Sequence, residues 1–219
     1  MRKNRKNVGD GMDLLRSLRS GSVPLVLFDP QYRAVLDRMS YGNTLRMRGR
    51  WALPQMGWTV IEGFISEIHR VLRPSGHLMM WVDKFTLCEG KTRFSWFPTV
   101  DLITWQKRRM GMGYRTRRKC EYLVIYQKTP LRAKGRWRDR GISDVWTHDM
   151  ETYAVENYGL IEEEVASRHT HAKPLGLQRR LIECVTRRGD IVVDPCAGGY
   201  SVMAAARSCG REYLGCDLI

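Results

Sequence analysis

The 219 residues suffice for one compact domain with a full core, and 37 Lys and Arg against 23 Asp and Glu give a net charge of +14. That charge favours a polyanionic partner, either nucleic acid or an acidic membrane face. No apolar run approaches the roughly 20 residues that cross a bilayer, and the first residues lack the apolar core of a signal peptide. We therefore expect a soluble, cytoplasmic protein with no membrane segment.

The six cysteines argue against a metal site. They include no Cys-x-x-Cys pair, and several lie inside apolar segments. This pattern favours free buried thiols over a zinc site or disulfides.

In chain order, the basic residues 1–7 are expected to fray before a short helix whose apolar face is Met12, Leu14, Leu15 and Leu18. Residues 23–28 are then an apolar run that stops abruptly at Asp29-Pro30-Gln31-Tyr32, which predicts a strand buried on both faces. Because parallel sheets place functional groups just beyond their carboxyl ends, we expect Asp29 and Tyr32 to face a crevice.

Residues 33–58 show no periodicity and are rich in arginine and aromatic residues. We interpret them as a long functional loop, or alternatively as a solvated basic excursion. Order returns at Thr59, where Thr59 to Glu62 has capping-box spacing, and the following apolar residues recur at helical intervals. Residues 73–76 break this helix, and residues 77–82 predict a second buried strand. A helix between two such strands is a crossover unit, so we predict an α/β fold with a doubly wound, mostly parallel sheet.

Residues 102–107 and 121–126 have strand composition and flank a basic segment, which suggests an antiparallel pair at the sheet edge. Residues 129–170 show no core pattern, and basic residues alternate there around Trp137. We interpret this part as a small insertion that contacts a partner, with a plain linker as the alternative.

The last fifty residues return to an α/β pattern. Pro174 is suited to begin a helix, and residues 190–194 predict a buried strand. A turn of small residues, a helix over residues 201–208 and a strand ending at Asp217 follow. This arrangement binds nucleosides, because glycines let the backbone approach the ligand and an acid accepts hydrogen bonds from ribose hydroxyls. An ordinary strand-to-helix turn is the alternative.

Three motifs together carry a more specific resemblance. Asp29-Pro30-Gln31-Tyr32 resembles the Asp-Pro-Pro-Tyr motif of amino-methyltransferases that act on DNA. Residues 194–199 resemble their Asp-Pro-Phe-x-Gly-Ser-Gly cofactor motif, and residues 171–174 resemble the segment that precedes it. With the catalytic motif first and the cofactor motif last, the chain resembles the permuted β class of adenine-N6 and cytosine-N4 DNA methyltransferases.

The resemblance implies a circularly permuted, Rossmann-like fold that uses S-adenosyl-L-methionine, as restriction-modification enzymes do, to methylate a flipped base in double-stranded DNA. It divides the chain into a catalytic half (residues 1–130), a target-recognition insertion (131–170) and a cofactor-binding half (171–219). Adenine N6 is preferred over cytosine N4 because the catalytic motif begins with Asp rather than Ser.

The resemblance also implies roles for residues. Asp29 and the Pro30 carbonyl would accept hydrogen bonds from the exocyclic amine, Gln31 completes the motif, and Tyr32 would stack on the flipped base. The implied cofactor-binding residues are Asp10, Asp29, Lys173, Pro174, Asp194, Pro195, Cys196, Ala197, Gly198, Gly199 and Asp217. The basic loop and the insertion would contact DNA through Arg33, Arg46, Arg48, Arg50, Arg132, Lys134, Arg136, Trp137 and Arg138.

Three departures from the family pattern matter. Gln31 replaces the second proline, so weakened activity is expected. Cys196 replaces Phe, and Tyr200 follows the glycines, which would narrow the cofactor pocket. The sequence stops two residues after Asp217, so we expect part of the pocket wall to be missing or to come from the partner in a homodimer. Two alternatives stay open: a methyltransferase acting on RNA or a protein amide, since related Pro-Pro-Tyr motifs serve those substrates, and a nucleic-acid-binding protein with a decayed active site, which Gln31 and the missing last helix suggest.

Overall fold

The computed structural model describes residues 1–30, 56–111, 115–159 and 173–218. Within these ranges the strands are β1 (Val23–Phe28), β2 (Leu72–Val82), β3 (Thr99–Gly111), β4 (Arg118–Gln127), β5 (Val145–Trp146), β6 (Ile191–Asp194) and β7 (Glu212–Gly215). The helices are α1 (Gly11–Ser17), α2 (Trp58–Val71), α3 (Lys84–Arg93), α4 (His148–Tyr158), α5 (Leu175–Val185) and α6 (Ser201–Ser208).

The seven strands form one sheet in the order β5-β3-β4-β2-β1-β6-β7. Strands β2, β1, β6 and β7 are parallel to one another, and β4 runs antiparallel to β2 and β3. Helices cover both faces of the sheet, as a sheet of parallel strands requires. The predicted doubly wound, mostly parallel α/β fold is therefore confirmed.

Strand β1 lies at the centre of the sheet, and all six of its residues are buried. Leu25 and Leu27 face a core formed with α4, α5 and α6, whereas Val26 and Phe28 face a core formed with α1 and α2. Phe28 stacks on Phe64 of α2, with ring centroids 5.2 Å apart. Burial of β1 on both faces of the sheet explains why its sequence is apolar.

Helix α2 exists as predicted, but its predicted capping box is wrong. The N-cap is Gly57, which makes no side-chain capping bond, and Thr59 is already the second helical residue. The predicted inward residues Ile61, Phe64, Ile65 and Ile68 are buried in the helix. Leu72 is also buried but is already the first residue of β2, which includes the residues 73–76 predicted to separate helix from strand. Packing of this face, and not a cap, therefore stabilises the helix.

The predicted strand pair is confirmed as β3 and β4, which are antiparallel. It does not form the sheet edge, because β5 pairs in parallel with β3 outside it. Strand β5 and helix α4 fall in the stretch expected to lack a core, yet Trp146 is only 1% exposed and Ala154 is 5% exposed. Residues 129–159 are therefore partly built into the main sheet and its core.

Residues 1–7 do not fray. The Asn4 amide donates to the Tyr213 carbonyl at 2.8 Å, and the Asn7 side chain donates to the Gly215 carbonyl at 2.9 Å. Val8 then forms a parallel bridge with Asp217. The amino-terminal segment thus packs along β7, a contact with residues more than 200 positions away that local composition cannot reveal.

Among the described residues, no helix combines the length and apolar composition that spanning a membrane requires. All six cysteines are free; Cys184, Cys209 and Cys216 are buried, Cys120 and Cys196 are half-buried, and Cys88 is exposed.

Candidate active site

Two neighbouring strands end in the same dipeptide. Strand β1 is followed by Asp29-Pro30, and β6 ends on Asp194, which Pro195 follows. The two strands pair in parallel, with Leu25 opposite Val192. Both Asp-Pro ends therefore lie at the same edge of the sheet, which we call the catalytic edge.

The Asp29 carboxylate forms an ion pair with Lys173, whose Nζ lies 3.0 Å from Oδ2. The Asp29 side chain is 35% exposed, while Lys173 is only 10% exposed. The same ammonium donates to Glu121 of β4 at 3.0 Å, and Glu121 accepts from Lys107 of β3 at 2.6 Å. Lys173 also lies 5.5 Å from the centre of the Trp81 ring, a cation–π distance.

Opposing effects act on this ion-pair chain. Burial by itself would lower the pKa of Lys173, but the adjacent carboxylates of Asp29 and Glu121 outweigh it and the pKa is raised. Burial would raise the pKa of Glu121, but Lys173 and Lys107 lower it. The ion pairs therefore favour the charged forms of Lys173 and Glu121, and they hold the Asp29 side chain in one orientation at the mouth of the site.

Asp194 lies in different surroundings, with only 2% of the residue exposed. Burial raises the pKa of its carboxyl group to about 8, opposed by a hydrogen bond from the Cys196 amide at 3.3 Å and assisted by the charges of Asp29 and Asp217. Tyr213 donates to its other oxygen at 3.5 Å. Most of Asp194 is therefore protonated at neutral pH.

The turn after Asp194 approaches β7 closely. The Ala197 amide donates to the Cys216 carbonyl at 3.0 Å, and the Gly198 amide donates to Asp217 Oδ2 at 2.8 Å. Gly198 has φ +47°, and a side chain there would meet no atom within 4 Å. The turn thus presents exposed backbone, with open space in front of it and a carboxylate beside it.

Tyr200, expected to narrow the cofactor pocket, is 7% exposed. Its hydroxyl donates to the Asn7 carbonyl at 2.7 Å, and its ring lies 6.3 Å from that of Tyr213. The side chain therefore packs in the core and fastens the amino-terminal segment, while the predicted narrowing of the pocket stays a prediction.

Helix α1 completes this side of the site. Asp10 caps it by accepting from the Met12 amide at 2.6 Å. Gly11 packs so closely on the Pro195 turn that a Cβ would lie 2.0 Å from the Pro195 carbonyl oxygen. The chain thus brings Asp10 next to the turn, and its predicted contact with a cofactor stays a prediction.

Asp10, Asp29, Asp194 and Asp217 converge at the catalytic edge of a protein with a net charge of +14. The described residues contain no cluster of three or more His, Cys, Asp or Glu placed to hold a metal ion. Asp10 and Asp217, which lie beside the turn, favour a small cationic ligand within the site, and the net charge of the protein favours a polyanion around it.

Several predicted site residues are not brought to this edge. Arg132 exchanges hydrogen bonds with Gln127, which ends β4 and lies opposite His77 in the middle of β2. The Trp137 ring lies 6.1 Å from His77. His77 lies opposite Leu25, four residues before Asp29, so residues 132–137 lie about 13 Å from the catalytic edge along the strand direction.

Arg138 has a partner within the protein. Its guanidinium donates to the carbonyls of Glu183 (2.7 Å), Cys184 (3.1 Å) and Thr186, which end α5. These bonds satisfy terminal carbonyls of a helix, a structural role that leaves DNA contact by Arg138 an untested prediction. The predictions for Gln31, Tyr32, Arg33, Arg46, Arg48 and Arg50 lie outside the described residues.

Sequence reasoning missed Glu121 and the basic end of the β3–β4 pair. The signal was present as Lys107-Arg108-Arg109 and Arg117-Arg118-Lys119, but only the strand pairing shows that these residues lie at the catalytic edge.

This combination of sheet order, acidic strand ends and glycine turn agrees with the sequence resemblance. The family model described as DNA methylase, of the N6/N4 type, matches residues 23–219. The chain therefore belongs to the N6/N4 DNA methylase family.

Individual relatives agree with this assignment. The type II methyltransferase M.HhaII of Haemophilus parahaemolyticus is 45% identical over 222 residues, covering 99% of this chain and 91% of that protein. The PvuII DNA methyltransferase, which is cytosine-N4-specific, has the same fold, with a TM-score of 0.64 at 15% identity over 98% of this chain and 81% of that one. TTHA0409 of Thermus thermophilus, itself named as a putative DNA modification methylase, was solved in complex with S-adenosyl-L-methionine. It has a TM-score of 0.59 at 23% identity, covering 98% of this chain and 89% of that one.

Proposed function

We propose that this protein transfers a methyl group from S-adenosyl-L-methionine to adenine N6 in double-stranded DNA. The observation that carries the proposal is Asp29, a half-exposed carboxylate fixed by Lys173 at the end of the central strand. Membership of the DNA methylase family supports the reaction. The choice of adenine rests on Asp as the first residue of the catalytic motif.

The residues present fit the cofactor. S-adenosyl-L-methionine is a cation with a ribose and, when bound, supplies an activated methyl group. The open space at Gly198 admits a ligand against the backbone, and Asp217 lies beside it to accept from ribose hydroxyls. Asp10 lies against the same turn, and the acidic surroundings favour a cationic ligand.

The acceptor nitrogen is a poor nucleophile because its lone pair is delocalised into the purine ring. Asp29 accepts a hydrogen bond from the amine, and the Pro30 carbonyl accepts a second, which favours a pyramidal nitrogen aimed at the methyl group. The rest of catalysis is positioning, since both reactants are held on one rigid edge of the sheet.

Lys173 is a positioning residue in this proposal. Its ammonium bridges Asp29 and Glu121, so the Asp29 side chain keeps one orientation when the base arrives. Gln31 and Tyr32 keep their predicted roles, in the motif and against the flipped base respectively.

The direct test is incubation with methyl-labelled cofactor and duplex DNA, with RNA and protein offered as competing acceptors. We expect label in DNA from the wild type and none above background from Asp29→Ala, while Asp13→Ala, an exposed acid on α1, retains wild-type transfer. Label in RNA or protein alone, or equal transfer by Asp29→Ala, would refute the proposal.

A further inference from the structure

The β3–β4 hairpin extends past the strands that carry the site. We define the basic hairpin as residues 106–111 and 115–121. Strand β2 ends at Val82, which pairs with Tyr122, but β4 begins four residues earlier, at Arg118. The hairpin therefore projects about 13 Å beyond the end of β2, on the same side as Asp29.

The base of the hairpin is tied to the site. Glu121 pairs with Lys107 on the opposite strand at 2.6 Å and with Lys173 at 3.0 Å, and Lys173 reaches Asp29. A rigid chain of ion pairs thus fixes the hairpin's position relative to Asp29.

The hairpin is strongly basic. Glu121, its single acid, is already paired with two lysines. Its basic residues are Lys107, Arg108, Arg109, Arg115, Arg117, Arg118 and Lys119, and all except Lys107 and Arg118 are exposed. Because the acid is neutralised, the surface has the sign and density of charge that phosphates require.

An exposed aromatic ring lies beside these cations. Phe85 is 43% exposed, with the Arg118 guanidinium 5.6 Å and the Lys84 ammonium 5.3 Å from its ring centre. Lys84 also donates to Thr116 at 3.1 Å, which joins α3 to the hairpin. Cations around an exposed ring suit a nucleic acid, which offers both phosphates and bases, better than an acidic protein.

We propose that the basic hairpin is the surface that grips the phosphates of duplex DNA next to the base being methylated. The inference rests on the proposed function and narrows it. It moves the DNA contact from Arg132 and Lys134, at the other edge of the sheet, to the edge where Asp29 lies.

The chain offers a matched test, because each surface has an exposed arginine and an exposed lysine. We compare Arg109→Ala/Lys119→Ala with Arg132→Ala/Lys134→Ala, measuring the Kd for a duplex by fluorescence anisotropy at several salt concentrations. The hairpin pair should weaken binding at least roughly tenfold and reduce the slope of log Kd against log salt by about 1.8, at 0.9 per lost phosphate contact. The control pair should change Kd less than about twofold.

Thermal melting and calorimetry with S-adenosyl-L-methionine check that both pairs fold and bind cofactor as the wild type does, and Arg109→Gln/Lys119→Gln replaces the alanine pair if that variant unfolds. An unchanged Kd for the hairpin pair, or equal weakening by both pairs, would overturn the inference even if the wild type methylates DNA. A wild type that binds DNA but transfers no methyl group would refute the proposed function. The Kd values of the two variant pairs would still test whether the basic hairpin binds DNA.

Discussion

The ends of β1 and β6 carry the same dipeptide, yet their carboxyl groups lie in opposite surroundings. Asp29 is 35% exposed and held by a lysine, whereas Asp194 is 2% exposed, and burial raises its pKa to about 8. The lysine-paired carboxylate at the mouth can accept a hydrogen bond from a substrate, whereas a buried acid that is kept neutral can donate one, either to the turn or to a bound ligand. Position relative to solvent, not residue type, separates the two roles.

The largest expected effect is on the ion pair at Asp29. Lys173→Met leaves Asp29 without its ammonium and Glu121 with one lysine fewer, so unfolding free energy should fall by about 3 to 5 kcal/mol. Urea unfolding at pH 7 measures it. Lys3→Met is the matched control, because its ion pair with Glu212 is exposed and should contribute at most about 1 kcal/mol. Equally small losses of unfolding free energy in both variants would contradict the proposal that Lys173 holds Asp29 in place.

The second effect concerns Asp194 and is set by pH. Its pKa is raised in the folded state, so its contribution to stability is fully present below the unfolded pKa and is lost as pH rises from about 4 to 8. Asp194→Asn removes this titration, so the variant should gain on the order of 4 kcal/mol relative to the wild type between pH 5 and pH 8.

Urea unfolding of both proteins at the two pH values gives the difference. The buried His77, whose pKa burial lowers to about 4, titrates in both proteins and cancels. The exposed Asp13→Asn should show no comparable gain. A pH-independent difference for Asp194→Asn would contradict the raised pKa of Asp194.

The third effect is on catalysis. Asp29→Asn keeps the shape of the side chain but loses the negative acceptor, so kcat should fall roughly 10²- to 10³-fold. Steady-state kinetics with duplex DNA measure this loss, and Asp13→Asn should retain the wild-type kcat. A loss below about threefold would contradict the proposed role of Asp29.

The smallest effect is at the turn after Asp194. Gly198→Ala places a methyl group at φ +47° in open space, so stability should fall by about 1 to 2 kcal/mol and the affinity for S-adenosyl-L-methionine should fall as well. Gly189→Ala, at φ +80° and also in open space, carries the same backbone cost in a turn far from the site. Titration calorimetry on both variants distinguishes them, and equal affinities would argue against a ligand at Gly198.

The sequence predicted local features well. The bounds of β1 and α6 match the prediction, because an unbroken apolar run and a sharp turn signal need only neighbouring residues. The two Asp-Pro ends were also identified by their motifs. One local prediction, the capping box at Thr59, failed. The other failures depended on distant partners: β5 is two residues long and is a strand only because it pairs with β3.

The site shows the same limit. The sequence of a basic segment does not show at which edge of the sheet the segment lies. Because β4 runs antiparallel to β2, the hairpin lies at the catalytic edge and Arg132 does not. Glu121 has no motif, and its importance comes from two lysines on other elements.

Methyl transfer to adenine N6 at Asp29 is tested most directly by mass spectrometry of nucleosides. The nucleosides come from duplex DNA that is digested after incubation with methyl-labelled S-adenosyl-L-methionine. We expect labelled N6-methyladenine with the wild type and none above background with Asp29→Ala. Labelled N4-methylcytosine in its place would contradict the assignment to adenine, and unlabelled DNA, or equal labelling by Asp29→Ala, would contradict a methyl-transfer site at the end of β1.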